Sequence, residues 1–462
     1  MRLKLNLTIN KLKSNKKHSF LIYGNCEITQ GYISILWAVH KSYYFFLIKM
    51  MKENYTLYQN SNNIDKSNIK AQDSGKKSLK VCHCVPVFSE LTQTFIYELV
   101  QNLVSFNLDV HVLTWQRKNI QFRPFDCVHT VSPPKKWEIW QLRLARLWPE
   151  ILGGACLPLT PFEWEVCQTL MNANIDLAHI HMGPTAVMLA RACRLVGIPF
   201  VVTFRGRDAS YKLRKLHWRL LYRNTLQQAT AITYVSSEIG NNLKSLLPKN
   251  IEHRLIRVGK RFDRLNYRSP SKPQGRLITI GRLIEKKGHI DAIRVLARVR
   301  EAGIDATLNI IGDGPLYDKI EQEVNLHNLH RHINLLGPQS FEETILYLEN
   351  SDILLAPHKT SCSGDREGIP NTIKEAQFIG VPVVTTRHAG IPEAIPLEQH
   401  DFLCEEGAVD AMADRVIQLL KTDENQLKVV TSSAREHVEH TFDPIKEAKE
   451  YLTLYQDIIS NI

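Results

Sequence analysis

The chain has 462 residues, of which 44% are hydrophobic and 23% are charged. This composition is ordinary for a soluble globular protein, and the length leaves room for two or three domains with cores of their own. A net charge of +11 would suggest nucleic-acid binding if it were spread along the whole chain. Residues 1–80 contain 14 Lys and Arg against 4 Asp and Glu, so residues 81–462 carry a net charge of only +1. No nucleic-acid partner is therefore expected.

The first 78 residues form a basic extension that we expect to be poorly ordered. Its apolar segment, 33–48, is interrupted by His40 and Lys41 and is short for a membrane span. Residues 51–78 are polar and rich in Asn, Lys and Ser, which is typical of a disordered linker. Two interpretations stay open. The extension lies outside the fold, which we favour, or it anchors the protein to a membrane surface.

The nine cysteines are an odd number without a CxxC pair, which favours reduced thiols and a cytoplasmic protein. Cys82, His83 and Cys84 are spaced like a fragment of a metal site. They lie in an apolar segment, however, and a buried strand is the better interpretation.

From residue 79 onwards, apolar strands alternate with helices. In a first domain, 79–265, strands are predicted at 79–88, 109–115, 176–182, 198–204 and 231–237, and the last of these closes the domain. A Pro/Ser/Gly-rich connection at 266–276 leads to a second domain, 277–443, with strands at 276–281, 306–312, 333–337, 353–358 and 382–386. The terminal helix, 444–462, is a candidate to pack back on the first domain. The pattern predicts an α/β protein with two Rossmann-like, doubly wound parallel sheets, which bind ligands at their strand ends across a central cleft.

Arg282 and Lys287 lie in the segment GRLIEKKG, which follows the first strand of the second domain. Arg282 leaves the strand end and Lys287 begins the next helix, so both side chains can reach one site. Two fixed cations there would stabilise a departing nucleoside diphosphate. The alternative, a solvated basic pair, is weaker because glycines flank the segment at a strand–helix junction.

Two glutamates lie near the start of a later helix, in the segment GDREGIPNTIKEA. Pro370 fits the first helical position and Gly380 the position just past the helix end. Glu367 then lies in the loop before the helix and Glu375 lies inside it. The helix N-terminus between them offers free N–H groups to phosphate, while the carboxylates suit sugar hydroxyls.

The segments GRLIEKKG, IIGDGP, GDREGIPNTIKEA and HAGIPE occur in this order, with LTQTFI upstream. In these segments the chain, over residues 79–462, resembles the retaining family-4 glycosyltransferases of the GT-B fold, and is similar to bacterial exopolysaccharide (colanic-acid-type) enzymes. The resemblance implies transfer of a sugar from a nucleotide diphosphate-sugar with retained anomeric configuration. It further implies no metal ion, no other cofactor and no protein nucleophile.

The resemblance also implies roles for individual residues. Arg282 and Lys287 hold the diphosphate, Glu367 contacts the hydroxyls of the donor sugar, and Glu375 receives those of the ribose. The other donor-binding positions are Gly281, Gly312, Gly314, Gly368, Ile369, Pro370, Asn371 and Thr372.

The first domain departs from the family pattern. Arg205, in the segment Arg-Gly-Arg-Asp, stands where family members often carry a histidine near the reacting sugar, and it is the fourth catalytic candidate. Gln93 replaces a commoner Glu, and the usual Gly-Val-Asp before the linker is reduced to Val-Gly-Lys at 258–260. The acceptor-side candidates are Thr94, Asp208 and His181. His181 either lines the cleft or has a structural role.

Residues 135–148 place Trp137, Trp140, Leu144 and Trp148 near one helical stripe, and residues 205–223 hold seven Lys and Arg. Such helices suit an anionic membrane or a lipid-diphosphate acceptor, although core helices with solvated basic faces are the favoured alternative.

We therefore expect a cytoplasmic glycosyltransferase of exopolysaccharide or cell-surface polysaccharide synthesis that uses a glycan or lipid-linked acceptor. Association with the inner face of the membrane stays open. The alternatives are a catalytically impaired nucleotide-sugar-binding subunit of an assembly complex and, more weakly, a membrane-associated scaffold.

Overall fold

The computed structural model describes residues 78–90, 94–147 and 158–461. The basic extension, apart from its last residue, lies outside these ranges, as do Gln93 and Trp148. Thr94 begins a helix, but its side chain is also outside the description.

The first domain contains a parallel sheet in which seven described strands follow the order β3-β2-β1-β4-β5-β6-β7. The strands are β1 (Lys80–Phe88), β2 (Asp109–Arg117), β3 (Val128–Thr130), β4 (Leu177–His181), β5 (Phe200–Phe204), β6 (Ala231–Tyr234) and β7 (Glu252–Leu255). The helices are α1 (Thr94–Ser105), α2 (Lys136–Leu147), α3 (Pro161–Asn172), α4 (Gly183–Val196), α5 (Leu216–Leu226) and α6 (Ser237–Leu243).

The second domain contains a parallel sheet in which six described strands follow the order β10-β9-β8-β11-β12-β13. The strands are β8 (Arg276–Ile280), β9 (Thr307–Ile311), β10 (Ile333–Gly337), β11 (Ile353–Ala356), β12 (Val383–Thr386) and β13 (Leu403–Cys404). The helices are α7 (His289–Glu301), α8 (Tyr317–Leu326), α9 (Phe341–Glu349), α10 (Asn371–Ile379), α11 (Val409–Lys421) and α12 (Glu424–Thr441).

Helices on both faces explain why the central strands read as continuous apolar runs. Strands β4, β5, β11 and β12 are buried at every position. The prediction that 231–237 closes the first domain is wrong, because β7 pairs in parallel with β6. Strand β7 has the sequence EHRL, and its polar, partly exposed residues give no apolar signal. Sequence analysis does not detect the edge strands β3 and β13, because they are too short to form a recognisable pattern.

The last helix, α13 (Pro444–Ser460), packs on the first domain rather than the second. Its buried apolar face joins the core formed by β1, β2 and α1, and it comprises Ala448, Tyr451, Leu454, Tyr455 and Ile458. The chain therefore crosses between the domains twice.

The strand order reverses between β1 and β4 in the first sheet and between β8 and β11 in the second. Open parallel sheets bind ligands outside the carboxyl ends of the strands at this point. Loops from these ends meet between the domains. A Cβ atom on Gly368 would lie 3.0 Å from the carbonyl oxygen of Arg205, and the Ser237 N–H donates to Glu393 Oε1 at 2.6 Å.

None of the helices in the described ranges combines the length and the hydropathy that a membrane span requires.

Three histidines lie side by side in the core of the first domain. His83 of β1 and His179 and His181 of β4 are fully buried, and their nearest ligand atoms lie within 4.8 Å of one another. His179 is held on both ring nitrogens at 2.6 Å, by the Tyr455 hydroxyl and by Thr203 Oγ1. His83 Nδ1 lies 3.0 Å from His181 Nε2. These contacts occupy most of the nitrogens that a metal ion would need.

The first domain also contains a buried ion pair. Arg191 of α4 contacts the Glu163 carboxylate of α3 at 3.2 Å, and both side chains are at most 1% exposed. Thr160 caps α3 in a reciprocal box with Glu163. Because removing one member of a buried pair leaves an uncompensated charge, this contact is costly to break.

We predict that Arg191→Met lowers the free energy of unfolding of the first domain by about 3–5 kcal/mol. The matched control is Arg298→Met, since Arg298 pairs with Glu301 at 2.8 Å while both side chains are more than half exposed. That change should cost under about 1 kcal/mol. Urea unfolding followed by circular dichroism measures both variants, and equal losses would contradict the assignment.

The buried histidines predict acid lability. Burial, aided by the charge of Arg205, lowers the pKa of His83 from 6.5 to about 3. The unfolded chain binds a proton there below pH 6.5 and the folded chain does not, so stability is lost as the pH falls from 6.5 towards 3. Between pH 7.5 and 5 this single group accounts for about 2 kcal/mol.

The variant His83→Asn should therefore lose less stability than the parent chain when urea unfolding is compared at pH 7.5 and pH 5. His330→Asn, at an exposed position, is the control and should behave like the parent. An unchanged pH dependence in His83→Asn would show that His83 is not responsible.

Candidate active site

An ion pair joins two strand-end loops of the second domain. Lys287 ends a short 3-10 helix, Glu285–Lys287, in the loop after β8, and its Nζ lies 2.9 Å from Glu367 Oε1. Lys286 Nζ lies 3.7 Å from the same oxygen and 3.4 Å from Asp365 Oδ2. Burial alone would raise the pKa of Glu367, but the two lysines outweigh it and hold the pKa at about 2. Glu367 is therefore a fixed anion beside fixed cations.

Arg282 differs from Lys287 in its surroundings. Its side chain is exposed and makes no ion pair with any residue of the described ranges. The guanidinium is thus open to a ligand, whereas the Lys287 ammonium is already engaged by Glu367.

The backbone at Glu367 is fixed by a histidine that sequence analysis did not assign. The Glu367 N–H donates to His388 Nε2 at 3.1 Å, and His388 Nδ1 lies 2.6 Å from Glu406 Oε1. Since Nε2 accepts, Nδ1 carries the proton and donates to Glu406. The Thr360 N–H donates to the other oxygen of Glu406 at 2.8 Å. His388 could have been noticed in the sequence because it begins the segment HAGIPE. Glu406 belongs to none of the motifs, so no sequence signal marked it.

Helix α10 begins next to this ion pair. Pro370 is its N-cap rather than its first helical residue, so the helix begins one residue later than predicted. No side chain caps the helix. The N–H groups of Asn371 and Thr372 in the first turn therefore suit an anion. Gly380 ends the helix in the left-handed conformation, with φ of 96°.

Glu375 of α10 forms an ion pair. Its Oε1 lies 3.0 Å from Lys260 Nζ, and both side chains are about one-tenth exposed. Lys260 belongs to the altered 258–260 segment, so the residue that breaks the family pattern is the partner of Glu375. A ribose would have to share this carboxylate with the ammonium group.

The predicted glycines bring the strand-end loops together. Gly312 has φ of 143°, and a Cβ atom there would lie 1.9 Å from the carbonyl oxygen of Gly281. A Cβ atom on Gly314 would lie 2.7 Å from the Leu283 carbonyl oxygen. Close packing of two loops accounts for these residues, with or without a ligand.

On the first domain, Arg205 is held by His181. Arg205 Nη2 lies 3.0 Å from His181 Nδ1, and the guanidinium lies 4.4 Å from the centre of the Phe95 ring. Because Arg205 can only donate, His181 Nδ1 accepts, and His181 Nε2–H donates to His83 Nδ1. Arg205 Nε and Nη1 are buried and have no hydrogen-bond partner among the described residues.

Two acceptor-side candidates, His181 and Asp208, hold the loop that carries Arg205. His181 is fully buried and contacts the Arg205 guanidinium, which favours the structural role of the two that the sequence left open. The Asp208 carboxylate accepts backbone N–H bonds from Arg205, Gly206 and Gly183 at 2.9–3.1 Å. It shapes the loop that carries Arg205, and both of its oxygens are in use.

The stripe on α2 is more exposed than the favoured interpretation allowed. Trp137, Trp140 and Leu144 are 52%, 65% and 37% exposed, and so they are not core residues. The adjoining α5 exposes Leu216 and Leu220, while its Trp218 is buried beneath Arg143 and Lys212, whose charged groups lie 5.0 and 4.5 Å from the ring.

Two family models match the chain, one on each domain. Residues 92–259 match the glycosyl transferase 4-like domain, and residues 264–437 match glycosyl transferases group 1. The boundary between the matches falls in the segment that joins the two sheets.

Curated relatives cover both domains. The chain is 28% identical over 293 residues to a putative colanic acid biosynthesis glycosyltransferase, WcaL, of Escherichia coli, covering 62% of this chain and 71% of the relative. It is 32% identical over 285 residues to the amylovoran biosynthesis glycosyltransferase AmsK of Erwinia amylovora, covering 59% of this chain and 67% of the relative.

Among solved structures, Anabaena Alr3699/HepE in complex with UDP and glucose aligns with a TM-score of 0.63 at 15% identity, covering 82% of this chain and all of that one. At this identity the likeness concerns the fold alone. The two facing parallel sheets, the two domain matches and the relatives agree: the chain belongs to the GT-B glycosyltransferases, in the group that contains enzymes of exopolysaccharide biosynthesis.

Proposed function

We propose that the protein transfers a sugar, with retention of anomeric configuration, from a nucleotide diphosphate-sugar to a lipid-linked glycan acceptor. The observation that carries this proposal is the Lys287–Glu367 pair beside the uncapped start of α10. Cation, carboxylate and free N–H groups stand together at the switch point of the second sheet, which suits a ligand with both phosphates and hydroxyls.

The diphosphate would bind Arg282, Lys287 and the first turn of α10, and Glu367 would accept hydrogen bonds from the sugar hydroxyls. The bond between the anomeric carbon and the diphosphate oxygen breaks, and its electron pair leaves with the phosphate. The cations stabilise that developing charge, so the proposed reaction does not depend on a metal ion.

The acceptor hydroxyl would attack the same face from which the diphosphate leaves. Its oxygen bonds to the anomeric carbon, and its proton passes to the leaving phosphate. A carboxylate held by two lysines is a poor nucleophile, so Glu367 positions the sugar rather than attacking it. Arg205, which directly follows β5, would contact the nucleotide-sugar from the first domain.

The relatives named for colanic acid and amylovoran synthesis support the proposed polymer class. The exposed side chains Trp137, Trp140, Leu216 and Leu220, with basic neighbours, support contact with an anionic membrane at its cytoplasmic face.

A thermal-shift screen against a panel of nucleotide sugars tests donor binding, since a ligand of the folded state raises its melting temperature. Glu375→Ala should weaken donor binding by about tenfold or more, as expected for a lost charged hydrogen bond. Arg282→Ala and Lys287→Ala should mainly lower kcat for donor turnover. Lys428→Ala, at an exposed position of the same domain, is the control.

Parent-like turnover in the three donor-site variants would refute the site. Donor binding by the parent without turnover on any lipid-linked acceptor would favour the binding-subunit alternative.

A further inference from the structure

A cavity lies between the domains, next to the loop that carries Glu367. It has a volume of about 300 Å³. The first domain supplies most of its wall through Ser210, Arg214, Arg219, Asn242 and Ser245, and the second domain supplies Gly364 and Arg366. The two domains approach each other closely here, because a Cβ atom on Gly364 would overlap the Arg214 guanidinium.

The cavity is strongly basic. Three of its lining residues are arginines, and none is an aspartate or a glutamate. Arg214 and Arg219 are exposed and form no ion pair with the rest of the described protein. Arg366 pairs with Glu238, which does not line the cavity.

Two buried polar atoms of the wall lack hydrogen-bond partners within the described ranges, namely Arg366 Nε and Ser210 Oγ. Both atoms are covered by protein, so the groups that a ligand can reach are the exposed guanidinium groups of Arg214 and Arg219. Guanidinium groups recognise phosphate through paired N–H bonds, and hydroxyl and amide donors complete such a site.

The position of the cavity suits the acceptor rather than the donor. Arg366 immediately precedes Glu367, so the cavity adjoins the proposed reaction centre. The diphosphate of the donor already has Arg282, Lys287 and the start of α10. Helix α5 carries Arg219 into the cavity and exposes Leu216 and Leu220, which places apolar surface close to the arginines.

We infer that this cavity binds the phosphate or diphosphate group of the acceptor. The inference rests on the proposed function and specifies it further: the acceptor is anionic, with phosphate near the transferred position and a hydrocarbon chain over α5. Arg214, Arg219 and Arg366 neutralise the phosphate, and the lipid leaves the cavity on the side of Leu216 and Leu220.

The first experiment uses inorganic pyrophosphate as the probe. Binding of radiolabelled pyrophosphate to the full chain should include a component that Arg214→Gln/Arg219→Gln weakens by about tenfold or more. Arg223→Gln is the matched control, because Arg223 is exposed on the same helix but does not line the cavity. Parent-like binding by the double variant, or an equal loss in Arg223→Gln, would overturn the site.

The second experiment distinguishes the acceptor's phosphate from a free anion. With polyprenyl diphosphate glycosides as acceptors, the double variant should need about tenfold more acceptor for half-maximal transfer, while donor hydrolysis in the absence of acceptor stays at the parent rate. Lost pyrophosphate binding with unchanged acceptor dependence would mean an adventitious anion only and would overturn the acceptor assignment.

Failure of the proposed function has a different signature. A parent chain that binds and hydrolyses no nucleotide sugar refutes glycosyl transfer, and the acceptor assignment falls with it. The pyrophosphate comparison would still decide whether the cavity is an anion site.

Discussion

The ion pair between Lys287 and Glu367 is the contact on which the proposed donor site depends. It joins the loop after β8 to the loop before α10 at the point where the strand order reverses. The pair is largely buried, so its attraction is stronger than it would be in water. His388 and Glu406 fix the backbone of the same turn through the Glu367 N–H. A carboxylate and a cation are thus held in place before any ligand arrives, which is the preorganisation that stabilisation of a leaving group requires.

The first domain approaches this turn at Arg205, whose carbonyl oxygen would lie 3.0 Å from a Cβ atom on Gly368. Arg205 is fixed by Asp208 through its backbone and by His181 through its side chain. His181 in turn donates a hydrogen bond to His83. His179 lies beside these two histidines and contacts Tyr455 of the terminal helix. A helix that follows the second domain in sequence therefore supports Arg205 of the first domain. The Arg205 position departs from the family pattern, yet its side chain has defined partners, the His181 ring nitrogen and the Phe95 ring.

Sequence analysis predicted the parts of the fold that bury apolar runs, such as β4, β5, β11 and β12. It missed β7, whose EHRL sequence lies at a sheet edge where polar residues are tolerated. Among the candidate site residues it singled out Lys287, Glu367 and Glu375 because they stand in spaced motifs next to strand ends. It missed Lys260 and Glu406, which pair with site residues more than 100 and about 20 positions away. Such partners are set by tertiary contact, and no local pattern marks them. His181 was placed on the right strand edge, but its burial depends on neighbouring strands and on α13.

The proposed function depends above all on transfer of the sugar with retention of the donor's anomeric configuration. Proton NMR of the first-formed product, with the donor selected by the thermal-shift screen, tests it most directly. The account predicts that the anomeric proton of the transferred sugar shows the coupling constant of the donor's own configuration. The opposite configuration in the first-formed product would contradict the account, because attack from the far face would then replace the front-face geometry built around Lys287 and Glu367.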